Sequence, residues 1–353
     1  MRLLMCSNDI TFSPALSQAY DRRGVDVTAG IPNLFLKLKN FDVVHFHWPE
    51  ELVGFHGASS DPAKTEPVLR LIDWWRERAT LVATVHNLIP HSAKLNGPDA
   101  RYYTAFYERM DLICHFSEYS RQRFGEVYPG IDASRQVVHG LNLFDHLRPL
   151  SRGRAAARAS LGLPQEARIF VLAGAVRQYK EMVLIEKAWR SAVQPGDLLL
   201  IATQLPWAGQ KGIRRIVKQA IFAARLSGKP VECYNRTLSE EELVWVVEAA
   251  DALLIPRYGN HLNSGLLPLS LTFGTAVIAP DYGIYRETVP LPANALYEPG
   301  NPEALAKAIR AQAAKNSADV TAANLAACGA FGWDNILERV WPALDRARAA
   351  RPV

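Results

Sequence analysis

The clearest structural pattern in the chain lies at Leu253–Pro280, LLIPRYGNHLNSGLLPLSLTFGTAVIAP. An apolar run that ends at Pro256 predicts a buried strand, and a loop rich in glycine, asparagine and histidine follows it. The nearly uncharged segment Ser264–Phe273 predicts a helix, which Gly274 closes as its C′ residue. Val277–Ala279 predicts the next strand. This order of strand, loop, helix and strand is typical of an α/β protein.

The loop before this helix is predicted to bind an anion. The first backbone N–H groups of a helix have no partner inside the helix, and they carry a partial positive charge. Asn263, Ser264 and Gly265 stand where these groups point. An ordinary tight turn would explain the same stretch, so the anion site depends on what the rest of the chain places beside it.

The alternation of strands and helices extends toward both termini. Apolar, β-branched runs predict buried parallel strands at Phe41–Phe46, Thr80–Val85 and Asp111–Phe116. Between the first two, Pro67–Ala79 predicts an amphipathic helix with proline at its first position. Strands that alternate with helices form parallel sheets with right-handed crossovers. The sequence therefore predicts the α/β class, with doubly wound, Rossmann-like sheets.

The length of 353 residues suits two such domains. We predict a first Rossmann-like domain at 1–147 and a second at 148–330, with a ligand-binding cleft between them. The segment 331–353 predicts a C-terminal helix that packs back toward the first domain. In open α/β sheets ligands bind beyond the carboxyl ends of the strands, so the loops at those ends are the places to look for functional residues.

The composition argues against several classes of protein. Hydrophobic residues make up 49% of the chain and charged residues 21%, and no apolar stretch reaches the roughly 18 residues of a membrane span. The four cysteines show no C-x-x-C spacing, which argues against zinc and for a reducing compartment. The net charge of +5 suits a phosphorylated substrate or an anionic membrane surface, whereas no nucleic-acid-binding signature occurs.

Polar side chains follow two predicted strands of the first domain. His45, His47, His86 and His91 cluster there, but their spacing does not suit a metal and no carboxylate joins them, so we predict no metal site. Burial near the adjacent tryptophan and proline would raise the pKa of Glu50, which suits a general base, and His86 is the alternative base. Glu50 would equally well be a structural residue, whose negative charge complements the positive end of the dipole of a helix that begins there.

Two cations follow a predicted strand of the second domain, in the run Arg177-Gln178-Tyr179-Lys180. Arginine binds a diphosphate as a fork and lysine as a point charge, although a solvated loop would have the same sequence. The motifs G-x-G-x-x-G, G-x-x-x-x-G-K-[ST], D-x-D and G-x-S-x-G are all missing from the sequence. We therefore expect no dinucleotide cofactor, no P-loop and no metal–diphosphate contact of the usual kind.

Together these motifs resemble those of GT-B glycosyltransferases. Four runs are similar to those of the non-processive β-mannosyltransferase family of xanthan-type exopolysaccharide assembly. They are D-V-x-H-x-H-W-P-E at Asp42–Glu50, H-N-L-x-P-H at His86–His91, R-x-Y-K at Arg177–Lys180 and L-x-P-x(n)-N-S-G at Leu254–Gly265. The large retaining group of the fold carries a Glu-x7-Glu motif, whose two positions are His261 and Leu269 in this chain.

The resemblance implies transfer of mannose from GDP-mannose to a polyprenyl-diphosphate-linked oligosaccharide, with inversion. Because the sequence has no D-x-D motif, we predict that the reaction needs no metal, and we predict no other cofactor. Glu50 or His86 would be the catalytic base. The residues implied in donor binding are Arg177, Lys180, Tyr258, His261, Asn263, Ser264 and Gly265. Those implied in acceptor binding are His47, Trp48, Asn87 and His91.

We predict a cytoplasmic protein that is peripheral on the inner face of the cytoplasmic membrane and has no nucleic-acid partner. The net charge, the pair Trp74-Trp75 and the basic run Lys211–Lys218 favour the membrane surface, although solvated helices would explain them too. Three alternatives to the mannosyltransferase stay open. They are a UDP-sugar-dependent GT-B glycosyltransferase, a nucleotide-sugar epimerase and a non-catalytic subunit that binds a sugar nucleotide.

Overall fold

The structure is a computed structural model that describes residues 1–9, 12–54, 58–90, 93, 97–174, 176, 178–207, 213–258 and 261–351, and for 214 and 215 the backbone alone. The strands are β1 (Arg2–Cys6), β2 (Asp26–Ala29), β3 (Val43–Phe46), β4 (Thr80–Thr84), β5 (Leu112–His115), β6 (Gln136–Val138), β7 (Arg168–Ala173), β8 (Asp197–Ala202), β9 (Val231–Cys233), β10 (Ala252–Leu254), β11 (Ala276–Pro280) and β12 (Ala295–Tyr297). The helices are α1 (Phe12–Arg22), α2 (Pro32–Leu36), α3 (Pro62–Arg76), α4 (Pro98–Glu108), α5 (Glu118–Val127), α6 (Arg154–Ser160), α7 (Tyr179–Ala192), α8 (Ile213–Leu226), α9 (Glu240–Ala249), α10 (Leu266–Thr272), α11 (Gly283–Thr288), α12 (Pro302–Ala313), α13 (Ser317–Ala327) and α14 (Trp333–Ala349).

The strands form two six-stranded sheets in which every pair of neighbours is parallel. The first sheet has the order β2-β1-β3-β4-β5-β6 and the second has the order β12-β11-β10-β7-β8-β9. Helices connect successive strands, as parallel pairing requires. The predicted α/β class with two doubly wound sheets is confirmed.

The contacts divide the chain into two compact units, each built on one sheet. Unit 1 consists of Met1–Asn142 together with Phe331–Val353, and unit 2 consists of Leu143–Ala330. The C-terminal helix α14 therefore belongs to unit 1, where its neighbours are α1, β5 and β6. No helix in the described parts of either unit is both long and apolar enough to span a membrane.

The core of unit 2 shows why its strands have continuous apolar sequences. Along β7, Phe170 and Leu172 join a buried cluster on one face of the sheet, whereas Ile169 and Val171 join a separate buried cluster on the other face. Alternate residues of a strand point to opposite faces, so a strand that is covered on both sides needs apolar residues throughout. Unit 2 thus buries the central strands of its sheet between two apolar clusters, one on each face.

Two helix starts differ from the sequence prediction. Helix α3 begins at Pro62 and not at Pro67, because the Asp61 side chain caps it by accepting a hydrogen bond from the Ala63 N–H at 2.9 Å. Helix α10 begins at Leu266 and not at Ser264, with Gly265 as its N-cap residue and no side-chain cap.

The predicted end of α10 at Gly274 is confirmed. Gly274 has φ +73°, and a Cβ atom there would lie 2.7 Å from Cγ2 of Thr321. Both the left-handed backbone and the close approach of α13 require glycine at this position. The turn after α10 therefore depends on Gly274, as the sequence predicted.

Candidate functional site

The order of the first sheet brings two loops together in unit 1. The chain runs outward from β1 to β2 and then returns to place β3 on the other side of β1, so the loops after β1 and β3 leave adjacent strands. The position at which the strand order reverses in this way is called a switch point, and open α/β sheets bind ligands beside it. The loops are joined here, because the Asn8 N–H donates a hydrogen bond to Oε2 of Glu51 at 2.9 Å.

Glu50 lies in the loop after β3, in the short 3₁₀ turn Pro49–Val53, and is only 9% exposed. The Tyr103 hydroxyl donates a hydrogen bond to its Oε2 atom. Burial raises the pKa of the Glu50 carboxyl, and the Tyr103 hydrogen bond opposes that rise without cancelling it. The direction is the one predicted from the sequence. Tyr103 comes from α4, and no local sequence signal marks it, because its neighbours are ordinary core aromatic residues.

The predicted acceptor residues His47 and Trp48 meet His86 at the ends of β3 and β4. Nδ1 of His47 lies 3.1 Å from Nε2 of His86, and the Trp48 ring stacks on the His86 ring with a centroid distance of 3.9 Å. Nε2 of His47 lies 2.9 Å from Sδ of Met5 on β1. The three side chains thus form one packed group whose ring positions are fixed on several sides.

This packing separates the two candidate bases. Burial, with the neighbouring histidines as a second cause, holds the pKa values of His47 and His86 well below their usual range. Two facing ring nitrogens also require one donor and one acceptor, which neutral imidazoles supply. A neutral histidine with a low pKa is a weak base, whereas a carboxylate with a raised pKa is a stronger one. The electrostatics favour Glu50 over His86.

A second switch point lies in unit 2, between β7 and β10. The chain proceeds from β7 to β8 and β9 and then returns to place β10 on the other side of β7. Lys180, in the first turn of α7, places Nζ 4.3 Å from the centre of the Tyr258 ring, and the Tyr258 hydroxyl donates to the Lys180 carbonyl at 3.3 Å. Two predicted donor residues that are 78 positions apart are therefore in contact.

A buried ion pair joins the same two loops and was not found from the sequence. Glu181, which is fully buried, accepts hydrogen bonds from Nη1 of Arg257 on both carboxylate oxygens, each at 3.0 Å. Its Oε2 also accepts from the Gln178 N–H at 3.3 Å, at the start of α7. The one available signal is an acidic residue directly after Lys180. The pair ties the start of α7 to the loop after β10.

The structure describes some of the remaining predicted site residues and not others. Arg177 and His91 lie outside the described residues. Asn87, His261, Asn263 and Ser264 are half-buried in the expected loops, and Gly265 is exposed. In the described ranges, no group of three or more His, Cys, Asp or Glu side chains is placed to hold a metal ion.

Comparison with solved structures identifies the class of fold. Sucrose-phosphate synthase from Thermosynechococcus elongatus covers 99% of this chain with a TM-score of 0.73 at 15% identity. HepE from Anabaena, solved in complex with UDP-glucose, covers 98% with a TM-score of 0.72 at 13% identity. The two parallel six-stranded sheets and their surrounding helices match these structures, and the chain has the GT-B fold of glycosyltransferases.

Sequence relatives point to the same class. D-inositol 3-phosphate glycosyltransferase from Streptomyces griseus is 29% identical over 240 residues, which are 64% of this chain and 49% of that protein. The Mycobacterium tuberculosis protein of the same name is 30% identical over 160 residues, which are 44% of this chain and 31% of that protein. This chain spans about half the length or less of these curated relatives. No family model matches the chain.

Proposed function

We propose that this protein is a glycosyltransferase that moves a hexose from a nucleoside-diphosphate sugar to a hydroxyl group. One observation carries the proposal. Each sheet has a switch point, and each switch point carries the chemistry of one half of the reaction. In unit 1 it is a buried carboxylate, Glu50, and in unit 2 it is a cation, Lys180, beside an aromatic ring. The fold and the sequence relatives support the same activity.

The bond changes of this reaction divide between the two switch points. The acceptor oxygen attacks the anomeric carbon, the bond from that carbon to the diphosphate oxygen breaks, and the acceptor proton passes to Glu50. Negative charge develops on the leaving diphosphate, and Lys180, with Arg177 as a second cation, would stabilise it there. A neutral His86, held by His47 and Trp48, would position a sugar hydroxyl by hydrogen bonding.

The proposed donor is GDP-mannose and the proposed acceptor a polyprenyl-diphosphate-linked oligosaccharide in exopolysaccharide assembly, with inversion to a β-linkage. The run H-W-P-E at His47–Glu50 and N-S-G at Asn263–Gly265 support this choice through their resemblance to the β-mannosyltransferases. An acceptor of this kind would keep the protein peripheral on the inner face of the cytoplasmic membrane. The positive net charge is consistent with such a surface.

A UDP-sugar donor is the second candidate. It is favoured by HepE, which was solved in complex with UDP-glucose, and by the names of the sequence relatives, which indicate a phosphorylated acceptor. One further structural neighbour, trehalose-6-phosphate synthase, transfers a glycosyl group with retention. The stereochemical outcome therefore distinguishes the two candidates as well as the donor does.

Purified protein in EDTA is expected to release GDP from GDP-mannose, and more so with a lipid-linked oligosaccharide present, because Lys180 and Arg177 replace a divalent ion. If UDP is released from UDP-glucose faster than GDP is released from GDP-mannose, the UDP-sugar donor is favoured. Conversion of the donor to another sugar nucleotide without an acceptor would identify an epimerase, and donor binding without turnover a non-catalytic subunit. Loss of activity in EDTA that magnesium restores would contradict metal independence.

Replacing Lys180 or Arg177 by alanine is expected to weaken donor binding by about 10- to 100-fold each, because each change removes a charge-assisted contact to the diphosphate. Isothermal titration with the nucleoside diphosphate measures the effect. Lys187→Ala is the matched control, because Lys187 is an exposed cation on the same helix, α7. Unchanged affinity in both site variants would remove this loop from the donor site.

A further inference from the structure

Unit 1 exposes a short run of apolar side chains directly after β2. Phe35 and Leu36 end the short helix α2, and Leu38 follows two residues later. Their exposed fractions are 48%, 57% and 80%, respectively. Large apolar residues scattered singly on a surface are common, but three within four positions form a patch that calls for an explanation.

Contacts of Leu34 and Lys37, on either side of Phe35 and Leu36, keep the apolar side chains at the surface. Leu34 is fully buried, and the Trp75 indole N–H donates to its carbonyl at 3.0 Å. Lys37 adopts a left-handed backbone with φ +53°, and its Nζ lies 4.3 Å from the centre of the Trp74 ring. The left-handed backbone at Lys37 ends α2, and the buried Leu34 and Trp75 anchor the helix. Phe35, Leu36 and Leu38 are therefore fixed in water by the fold.

The surroundings of the patch are cationic and aromatic. Trp74 is half-buried and Trp75 is fully buried, so the expectation that both tryptophans are exposed is wrong for Trp75. The Arg78 guanidinium lies 4.1 Å from the Trp74 ring, which thus has two cations against it, and Lys39 is exposed beside the patch. Glu77 offsets part of this charge, because it pairs with Arg78 at 2.7 Å.

We propose that these residues form a membrane-docking surface that inserts shallowly into an anionic bilayer. The Phe35 surface consists of Phe35, Leu36, Lys37, Leu38, Lys39, Trp74 and Arg78. Apolar tips above a base of lysine, arginine and tryptophan match the layers of a bilayer, where acyl chains lie below a charged interface that favours tryptophan. The inference rests on the membrane association proposed above and assigns it to a particular surface.

The size of the patch favours lipid over a protein partner. A stable protein interface covers roughly 800 Å² on each partner and involves about 20 to 30 residues a side. Three apolar side chains with a charged rim are far smaller, but they suffice for reversible insertion beside electrostatic attraction. Helix α8 of unit 2 is the competing surface, because Ile213, Ile216 and Val217 are also exposed there.

Sedimentation with vesicles tests the assignment on the full chain. One set of vesicles contains phosphatidylglycerol mixed with phosphatidylcholine, and the other contains phosphatidylcholine alone. The triple variant Phe35→Ser, Leu36→Ser, Leu38→Ser is expected to bind the anionic vesicles at least about tenfold more weakly than wild type. The double variant Lys37→Gln, Lys39→Gln is expected to lower binding at low salt and to have little effect at high salt.

The matched comparison is the triple variant Ile213→Ser, Ile216→Ser, Val217→Ser on α8, which is expected to bind vesicles as wild type does. Loss of binding in the α8 variant with none in the Phe35 variant would overturn the assignment. Wild-type protein that stays in the supernatant with anionic vesicles would remove membrane association altogether. Nucleotide release in vesicle-free solution is measured for every variant and is expected to be unchanged, which separates these outcomes from failure of the proposed activity.

Discussion

Replacing Glu50 by glutamine is expected to lower kcat by about 10²- to 10⁴-fold, the usual contribution of a general base, while leaving donor affinity almost unchanged. Glutamine keeps the shape of the side chain and can still accept the Tyr103 hydrogen bond, but it cannot take a proton. Steady-state rates and isothermal titration with the nucleoside diphosphate measure the two effects separately. A glutamine variant with a near-normal rate would eliminate Glu50 as the base.

Two neighbouring variants complete this test. Glu51→Gln is the matched control, because Glu51 is the next carboxylate in the same loop and burial raises its pKa too, but it is bonded to the Asn8 N–H. The decrease in kcat of Glu51→Gln is expected to be much smaller than that of Glu50→Gln. Tyr103→Phe removes the donor that lowers the Glu50 pKa, so that pKa is expected to rise further.

The pH dependence follows from the same carboxyl group. A base acts in its deprotonated form, so activity is expected to fall as the pH drops through the raised pKa of Glu50. The midpoint of this fall in the pH–rate profile should lie above the usual pKa range of a glutamate and move to higher pH in Tyr103→Phe. The fall should disappear in Glu50→Gln. An NMR spectrum of the product decides the stereochemistry, because an α-linked product would contradict inversion from an α-linked donor.

Replacing Arg257 by alanine is expected to lower the free energy of unfolding by about 1.5 to 3 kcal/mol, because it removes the charge-assisted hydrogen bonds that the guanidinium donates to both oxygens of the buried Glu181 carboxylate. Glu181 is fully buried and the Arg257 side chain that covers it is only 14% exposed, so the carboxylate recovers little hydration when the guanidinium is removed. Urea denaturation followed by circular dichroism measures the loss. The same variant is expected to loosen the loop after β10 and so weaken donor binding.

Arg286→Ala is the matched control in the same unit. Arg286 pairs with Asp281 at 2.8 Å, but both side chains are exposed, so a much smaller loss is expected. The double variant Arg257→Met, Glu181→Gln is expected to recover part of the stability, because it removes the buried charge along with its partner. The role given to this pair would be contradicted if Arg257→Ala were as stable as wild type. It would also be contradicted if the double variant were no more stable than Arg257→Ala.

Local patterns predicted the type of most elements, although they misplaced the starts of α3 and α10. Gly274, which the sequence predicted as the end of α10, acts on its own turn, and the caps that the structure shows at Ser117 of α5 and at Ser239 and Glu242 of α9 likewise join groups a few residues apart. These signals predict helix ends well because the hydrogen bonds that they describe are themselves local. The largely apolar runs of β3, β4 and β5 were equally plain, since a strand covered on both faces favours apolar residues at most of its positions.

The sequence alone also determined which loops to examine, but not what lies inside them. It placed Glu50, His86, Lys180 and Tyr258 after strands, and parallel strands put those loops at one edge of each sheet. It did not predict that Lys180 and Tyr258 touch, because their contact depends on the chain returning to place β10 beside β7. Strand order is a property of the whole sheet, and no local pattern encodes it.

Only the tertiary structure decided the chemical state of the candidate groups. Tyr103 reaches Glu50 across 53 positions of sequence, and Arg257 reaches Glu181 across 76. The same packing keeps His86 a weak base and leaves Phe35 in water. Burial, and with it the pKa of a group or the net strength of an ion pair, is set by neighbours that are distant in the chain. The residue types came from the sequence, and their protonation and partners came from the fold.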